Sequence, residues 1–304
     1  TSTPMAGTAS GQPAGGGMIP LLKLKKDVQF NHELAYVVNV MKGIAAARFH
    51  ILERRLAVFE QYFNVASELL TVIDFAHVDH PFVQPRTPVT GVVMVTSDAG
   101  FLGGLNAQVV NRGLTEGGPT ALLAVIGERG TYYLRETRQR VRTFPGIQDD
   151  EGDRLALADA VRDHVVRQVL EGSCGRVIVV YPKSVSFTVQ AIITETLIPC
   201  SAWVAQRAGQ HRLLPNLLWE SRVDEVMEYV LLQWIGRRLD EIFALSRLAE
   251  LAARTVHLEG SYQELLRRGK KLKLQYFRAR HEMIDRSIRE VCAAQLLYGK
   301  DHAE

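Results

Sequence analysis

The residue types and spacing best suited to chemistry occur in one glycine-rich segment, which reads Thr-Ser-Asp-Ala-Gly-Phe-Leu-Gly-Gly-Leu-Asn over residues 96–106. The segment follows a β-branched run and precedes a helical pattern, so its backbone N–H groups could bind a phosphate at a helix N-terminus. It matches neither G-x-G-x-x-G nor a P-loop, because no Lys-Ser or Lys-Thr pair follows the last glycine. We therefore favour a structural turn over a nucleotide site, since glycines provide tight backbone geometry and close packing. The turn residues are Ser97, Asp98, Gly100, Gly103 and Gly104.

Other catalytic or metal chemistry has little support in the sequence. The serines lack the G-x-S-x-G nucleophile elbow, and the nine histidines show no H-E-x-x-H spacing. The three cysteines, Cys174, Cys200 and Cys292, are far apart and form no C-x-x-C pair, which argues against a disulfide framework and a zinc site. We expect no catalytic residue, no cofactor and no bound metal.

A second candidate for binding is a cationic segment near the C-terminus. Its basic residues are Arg267, Arg268, Lys270, Lys271, Lys273, Arg278, Arg280 and Arg286, with His281 among them. On a helix these charges surround most of the circumference, and they repel one another unless anions lie around them. A solvated helix face, nucleic acid and a collar of acidic protein all fit that pattern. We favour the protein collar, because the only aromatic residues nearby, Tyr276 and Phe277, are adjacent and point in different directions.

Two long helices must position these residues. Pro20 and Pro81 bound a segment without internal proline, and no proline follows Pro215, so residues 26–77 and 223–298 are predicted to be helical. In the first helix the predicted heptad positions are Val38, Ala45, Leu52, Phe59, Ala66 and Ile73 in one series and Leu34, Met41, Tyr62 and Leu69 in the other. The second series also falls on Arg48 and Arg55, so part of the seam must meet solvent or a polar partner. We predict that the two helices pair as an antiparallel coiled coil.

The middle of the chain has the pattern of an α/β domain. Short β-branched runs over residues 89–96, 121–126 and 176–181 predict buried parallel strands, and residues 154–170 predict a crossover helix. Residues 185–197 predict one or two more strands, which gives a Rossmann-like sheet of about five strands. The predicted division is a flexible tail over 1–19, a coiled-coil helix over 20–80, the α/β domain over 81–215 and a coiled-coil helix over 216–304.

Composition places few further limits on function. The chain has 304 residues, of which 47% are hydrophobic and 23% charged, and this excludes disorder throughout. Its net charge of +3 is too small to require nucleic acid as a partner. No uninterrupted apolar run approaches the roughly 18 residues that span a bilayer.

Three separated motifs resemble the gamma subunit of F-type rotary ATP synthases. Residues 40–48, Val-Met-Lys-Gly-Ile-Ala-Ala-Ala-Arg, are similar to the N-helix signature of that family. The glycine-rich turn is similar to its S-D-x-G-L-C-G-G-L-N motif. Residues 272–281, Leu-Lys-Leu-Gln-Tyr-Phe-Arg-Ala-Arg-His, are similar to the C-helix run L-x-L-x-Y-N-R-A-R-Q. The resemblance covers nearly the whole chain after Met18, and it implies that the glycine-rich turn is structural.

The resemblance also implies a mechanical function. The chain would be the non-catalytic central-stalk rotor that couples ion flow through a membrane ring of c subunits to ATP synthesis or hydrolysis in a hexamer of alpha and beta subunits. It would also bind an epsilon-type stalk subunit, and it would lie at the cytoplasmic face of the inner (plasma) membrane as a peripheral component. The residues expected to contact the hexamer are Met41, Lys42, Arg267, Arg268, Lys270, Lys271, Lys273, Arg278, Arg280, His281 and Asp285.

The sequence departs from the family pattern at several positions within and near these motifs. Leu102 replaces Cys, Phe277 replaces Asn, His281 replaces Gln and Asp285 replaces Thr. These changes suggest a divergent branch, such as an alternative ion-pumping ATPase, and leave open whether the pumped ion is a proton or sodium. The alternatives of a different class are a coiled-coil nucleic-acid-binding protein and a nucleotide-dependent enzyme.

Overall fold

The computed structural model describes residues 21–70, 80–135, 137, 139–200 and 223–298. The tail predicted over residues 1–19 lies outside the described residues, as do positions 71–79 of the predicted N-terminal helix and positions 201–222. The same holds for the predicted seam residue Ile73 and for the side chains of Phe59, Tyr62, Ala66 and Leu69.

The chain begins and ends its described part in long helices, as predicted. The helices are α1 (Leu21–Leu70), α2 (Leu105–Gly117), α3 (Glu128–Tyr133), α4 (Glu151–Leu170) and α5 (Val223–Tyr298). The strands are β1 (Thr90–Val95), β2 (Leu122–Ile126), β3 (Val141–Phe144), β4 (Arg176–Ser184) and β5 (Gln190–Ile198). The absence of proline allows α1 to run for 50 residues and α5 for 76. The predicted fold class, long antiparallel terminal helices with a central α/β domain, is confirmed.

Contacts divide the chain into two compact units. One comprises Thr1–Val38 with Ser261–Glu304, and the other comprises Asn39–Gly260. The second unit contains the sheet together with the middle portions of α1 and α5. The four-part division predicted from the sequence stays a prediction.

A mixed sheet with strand order β3-β2-β1-β4-β5 forms the centre of the second unit. β1 pairs in parallel with both β2 and β4, β3 pairs in parallel with β2, and β5 runs antiparallel to β4. Side chains alternate across β1: Val93 and Val95 join a cluster with α4 and α5, whereas Val92 and Met94 join a cluster with α2. Helices therefore cover both faces of the sheet, which explains why its central strands are continuously apolar.

One part of the predicted coiled-coil seam is wrong by one residue. Val38 and Ala45 are buried as predicted, but Leu34 and Met41 are 38% and 37% exposed. Ala35 in the first unit and Phe49 in the second unit, one residue after the predicted positions, are buried instead. Arg48 therefore lies beside the seam with an exposed side chain. No arginine has to be buried between the two helices at this position.

In the first unit, α1 and α5 approach closely at a polar position. Asn31 is 6% exposed, and its Nδ2 donates to the main-chain oxygen of Leu265 at 2.9 Å. A Cβ atom at Gly269 would lie 2.9 Å from the same Nδ2, so a larger residue would push the helices apart. In the second unit, Phe49 packs with Leu248 and other residues of α5.

Candidate functional site

The glycine-rich turn links the carboxyl end of β1 to the start of α2. Three of its residues have positive φ angles: Phe101 (64°), Gly103 (59°) and Gly104 (91°). Glycine adopts this left-handed region without steric cost, so Gly103 and Gly104 suit the tight entry to α2. The turn also contacts α5, because Arg254 Nε donates to the main-chain oxygen of Gly100 at 3.3 Å.

Ser97 is held by the first turn of α2. Its backbone N–H donates to Asn106 Oδ1 at 3.2 Å, and Asn106 Nδ2 donates to Ser97 Oγ at 2.9 Å. The Ser97 hydroxyl in turn donates to the main-chain oxygen of Ala99 at 2.8 Å. The buried Ser97 hydroxyl therefore both donates and accepts a hydrogen bond, and neither partner is a base.

Asp98 occupies the place where a parallel sheet could offer N–H groups to a phosphate. Its carboxylate accepts hydrogen bonds from the backbone N–H of Glu128 at 2.9 Å and of Gly146 at 3.2 Å. These donors belong to the segments that follow β2 and β3 at the same edge of the sheet. A phosphate bound to them would have to displace the carboxylate of Asp98.

The predicted cationic segment lies on α5 in the first unit. The side chains of Arg267, Lys271, Arg278 and Arg280 are exposed, and residues 281–295 are exposed without exception. Among the described residues, Arg267 pairs with Glu264 at 3.8 Å, with the two side chains 76% and 71% exposed. Most side chains at this end of α5 are therefore exposed within the described part of the chain.

Met41 and Lys42 belong to the other compact unit. Met41 is 37% exposed. Lys42 Nζ lies 2.7 Å from Glu259 Oε2 of α5, with the lysine side chain 26% exposed. Lys42 thus links the two helices of this unit.

A buried ion pair that was not predicted from the sequence joins α4 to α5. Arg154 on α4 and Asp240 on α5 are 5% and 3% exposed, and Arg154 Nε donates to Asp240 Oδ1 at 2.7 Å. The sequence contains a signal for this ion pair, because Arg154 lies on the otherwise apolar stripe of α4 together with Leu157, Ala158 and Val161. A charge on an apolar stripe indicates a buried partner.

A second network joins α5 to the edge strand β5. Arg238 donates twice to Glu195 at 2.6 Å and also bonds Glu241. Burial lowers the pKa of Arg238, but the two carboxylates outweigh it and raise the pKa overall. Tyr181 donates to Glu195 at 3.1 Å, and its pKa is raised by burial and by the charge of Glu195. Because both pKa values are raised, Arg238 stays charged and Tyr181 stays neutral near neutral pH, and the two side chains serve packing rather than proton transfer.

Neither a metal centre nor a membrane span is found in the described part of the chain. No group of three or more His, Cys, Asp or Glu residues there is arranged to hold a metal ion. Among the described helices, none combines the length and the apolar character needed to cross a bilayer.

Comparison with known proteins identifies the family. The ATP synthase family model matches residues 21–295, which includes most of both long helices and the whole sheet. The ATP synthase gamma chain of Chlorobaculum tepidum is 25% identical over 275 residues, covering 84% of this chain and 91% of that one. The ATP synthase gamma chain of Acidithiobacillus ferrooxidans is 26% identical over 270 residues, covering 84% and 92%.

Solved structures share the fold. A chain in a cryo-EM structure of the Euglena gracilis mitochondrial ATP synthase, OSCP/F1/c-ring, matches with a TM-score of 0.66 at 14% identity, covering 93% of this chain and 96% of that one. A chain in the rotor of the same enzyme matches with a TM-score of 0.63 at 15% identity, covering 87% and 98%. The family match, the related gamma chains and the arrangement of helices and sheet agree, and the chain belongs to the gamma-chain family of ATP synthases.

Proposed function

We propose that this chain is the central-stalk rotor subunit of an F-type ATP synthase or ATPase. It couples ion flow through a membrane ring of c subunits to ATP synthesis or hydrolysis in the hexamer of alpha and beta subunits, and it also binds an epsilon-type stalk subunit. Family membership over residues 21–295 supports the proposal, as does the similarity to chains from a structure described as a rotor. The proposed location is peripheral, at the cytoplasmic face of the inner membrane.

The observation that carries the proposal is the exposed end of α5. Residues 281–295 are all exposed, and they include Met283 at 47%, Ile284 at 41%, Ile288 at 56% and Val291 at 58%. Apolar side chains recurring at helical spacing on a surface indicate a partner that covers them. The neighbouring arginines and lysines require that this partner also carry carboxylates, which fits acidic segments of a surrounding hexamer.

We assign the contacts with the hexamer to the residues predicted from the sequence. Arg280 would donate paired hydrogen bonds to a carboxylate of a catalytic subunit, because its guanidinium presents a planar fork. His281 would donate one hydrogen bond or carry a charge. The remaining members of the proposed set are Met41, Lys42, Arg267, Arg268, Lys270, Lys271, Lys273, Arg278 and Asp285.

The proposed subunit is non-catalytic and uses no cofactor of its own. The glycine-rich turn is proposed to be structural, because Asp98 already engages the N–H groups of Glu128 and Gly146 that a phosphate would need. Ser97 is likewise engaged by Asn106. The nucleic-acid-binding alternative is not favoured, since membership of this family accounts for the same basic residues.

The experiment that tests the proposal measures ATP-driven ion pumping by the complex reconstituted in lipid vesicles. Arg280→Ala should lower the pumping rate at least several-fold, because it removes the paired hydrogen bonds to the hexamer. The matched control is Arg289→Ala, nine positions along the same exposed helix, where the guanidinium donates to the main-chain oxygen of Asp285 of its own helix at 3.2 Å. Far-UV circular dichroism of both variants checks the fold. Unchanged pumping in Arg280→Ala would remove the assignment of this residue.

A further inference from the structure

A cavity of about 220 Å³ lies within the second compact unit, apart from the exposed end of α5. Its walls come from α1, from the segment between β3 and α4, from the start of α4 and from α5. Four of its lining residues are arginines: Arg48, Arg55, Arg154 and Arg247. The others are Ile51, Leu52, Gln148, Asp149 and Leu251.

Two of the arginines are fixed in place by carboxylates, of which Glu250 and Asp240 are buried and Asp149 is exposed. Arg247, whose side chain is 14% exposed, bonds Asp149 at 2.7 Å and Glu250 at 2.8 Å. Arg154, whose side chain is 6% exposed, bonds Asp240 at 2.7 Å. Because these guanidinium groups are already ordered, a ligand that meets them does not have to immobilise flexible side chains.

The other two arginines retain hydrogen-bond donors. Arg48 Nη1 lies 2.6 Å from Asp149 Oδ2, and a guanidinium carries five N–H donors, so most of its donors point elsewhere. Arg55 forms no ion pair with any residue that the structure describes. Arg48 and Arg55 lie two helical turns apart on α1, and Ile51 and Leu52 lie between them.

The cluster has an excess of positive charge. Four arginines line the cavity, and the only carboxylate among its lining residues is Asp149. The lining arginines also pair outside the cavity with Asp240 and Glu250. Four cations and three carboxylates leave an excess of one positive charge, which favours an anion. Ile51, Leu52 and Leu251 form an apolar side of the cavity, in which Leu251 is buried and Ile51 is 56% exposed.

We propose that this cavity is an anion site that binds a phosphate-class anion, such as orthophosphate or pyrophosphate. Guanidinium groups suit this chemistry, because their paired N–H donors match the oxygens of a phosphate. The cavity is smaller than the roughly 300–1,000 Å³ typical of sites for drug-sized ligands, so it favours the inorganic anions over a nucleotide. The site is independent of the rotor assignment, since none of its residues belongs to the proposed hexamer contacts.

The test is isothermal titration calorimetry of the full chain with orthophosphate, pyrophosphate and ATP at low ionic strength. The unmodified chain should bind one pyrophosphate or orthophosphate, and ATP should bind at least tenfold more weakly. Arg55→Gln and Arg48→Gln should each weaken the binding of pyrophosphate by about tenfold, because each removes a charge-assisted hydrogen-bond donor. The matched control is Arg54→Gln, which removes the same charge from the neighbouring position of α1 but does not line the cavity.

Three results would overturn the proposal. The first is the absence of measurable phosphate or pyrophosphate binding by the unmodified chain at millimolar concentration. The second is an equal loss of binding in Arg54→Gln, which would indicate diffuse attraction to a basic surface. The third is ATP binding as tight as that of pyrophosphate, which would contradict a site limited by the size of the cavity. Circular dichroism of each variant ensures that altered binding does not reflect unfolding.

Discussion

Replacing Arg154 with methionine is expected to lower the free energy of unfolding by about 3–5 kcal/mol at neutral pH. The change removes the guanidinium that Asp240 bonds at 2.7 Å, while methionine fills much of the volume of the arginine stem. The carboxylate of Asp240, whose side chain is 4% exposed, would then remain buried without this cation. The two residues join α4 to α5, so the loss should weaken the packing of α5 against the sheet.

The magnitude follows from two opposing contributions. Charge centres about 4 Å apart attract one another by about 4 kcal/mol at the effective dielectric constant of about 20 that describes protein sites. Removing each ion from water costs several kcal/mol, so the intact pair contributes little net stability compared with an apolar pair. Arg154→Met combined with Asp240→Leu should therefore return to within about 1 kcal/mol of the original stability, or exceed it.

The assay is guanidinium chloride denaturation followed by circular dichroism and by the fluorescence of Trp234, which lies in the same core cluster as α4. Both single variants and the double variant form a cycle whose coupling free energy isolates the pair. Arg167→Met is the matched control, because Arg167 is exposed on the same helix and should change stability by less than about 0.5 kcal/mol. A coupling free energy below about 0.5 kcal/mol, or an Arg154→Met variant as stable as the control, would refute the reasoning.

Three other predictions follow from the described contacts. Asn31→Ala should lower the free energy of unfolding by about 1 kcal/mol, because it removes the buried hydrogen bond from Nδ2 to the main-chain oxygen of Leu265; a variant as stable as the original chain in thermal denaturation would contradict this. Asp98→Ala should destabilise the chain by about 1–2 kcal/mol through the loss of two backbone hydrogen bonds, and denaturation curves that match those of the original chain would exclude that role. Burial raises the pKa of Cys174 to about 11 and of Cys200 to about 12, whereas Cys292 is exposed. Ellman's reagent at pH 8 should therefore modify Cys292 quickly, and Cys174 and Cys200 only after unfolding. Because folding raises these two pKa values, the thiols contribute their stability fully below about pH 9 and lose it as the pH rises towards 11–12, and Cys200→Ala should flatten that decline.

The long helices and the central strands could be predicted because their signals are local. The absence of proline after Pro215 predicted the observed bounds of α5. The β-branched runs predicted the bounds of β1, β2 and β4 to within two or three residues. β3 was missed, because Val141–Phe144 includes the exposed Arg142 and Thr143 and lacks a buried face on both sides. The register of the seam was also missed in part, because α1 carries exposed apolar residues such as Tyr36 and Val37 beside the buried stripe. Periodicity alone does not choose between two apolar faces of one helix.

For the candidate site, the sequence did not indicate what the predicted residues contact. The glycine-rich turn was predicted to be structural, and its hydrogen bonds to Glu128 and Gly146 depend on segments 30 and 48 residues further along the chain. The arginines of the cavity come from α1, α4 and α5 and share no local motif. Long-range contacts of this kind follow from the topology of the sheet and cannot be inferred from spacing.

The pairing of α1 with α5 has a consequence for synthesis on the ribosome. Lys42 and Glu259 are separated by 217 positions, so the apolar stripe of α1 emerges long before the segment that covers it has been made. At about 5–20 residues per second, the delay is on the order of 10–40 s. During that time the helix presents Ala45 and Phe49 to any hydrophobic surface nearby, including another nascent copy. Efficient production of this chain should therefore depend on chaperones that bind the emerging N-terminal helix.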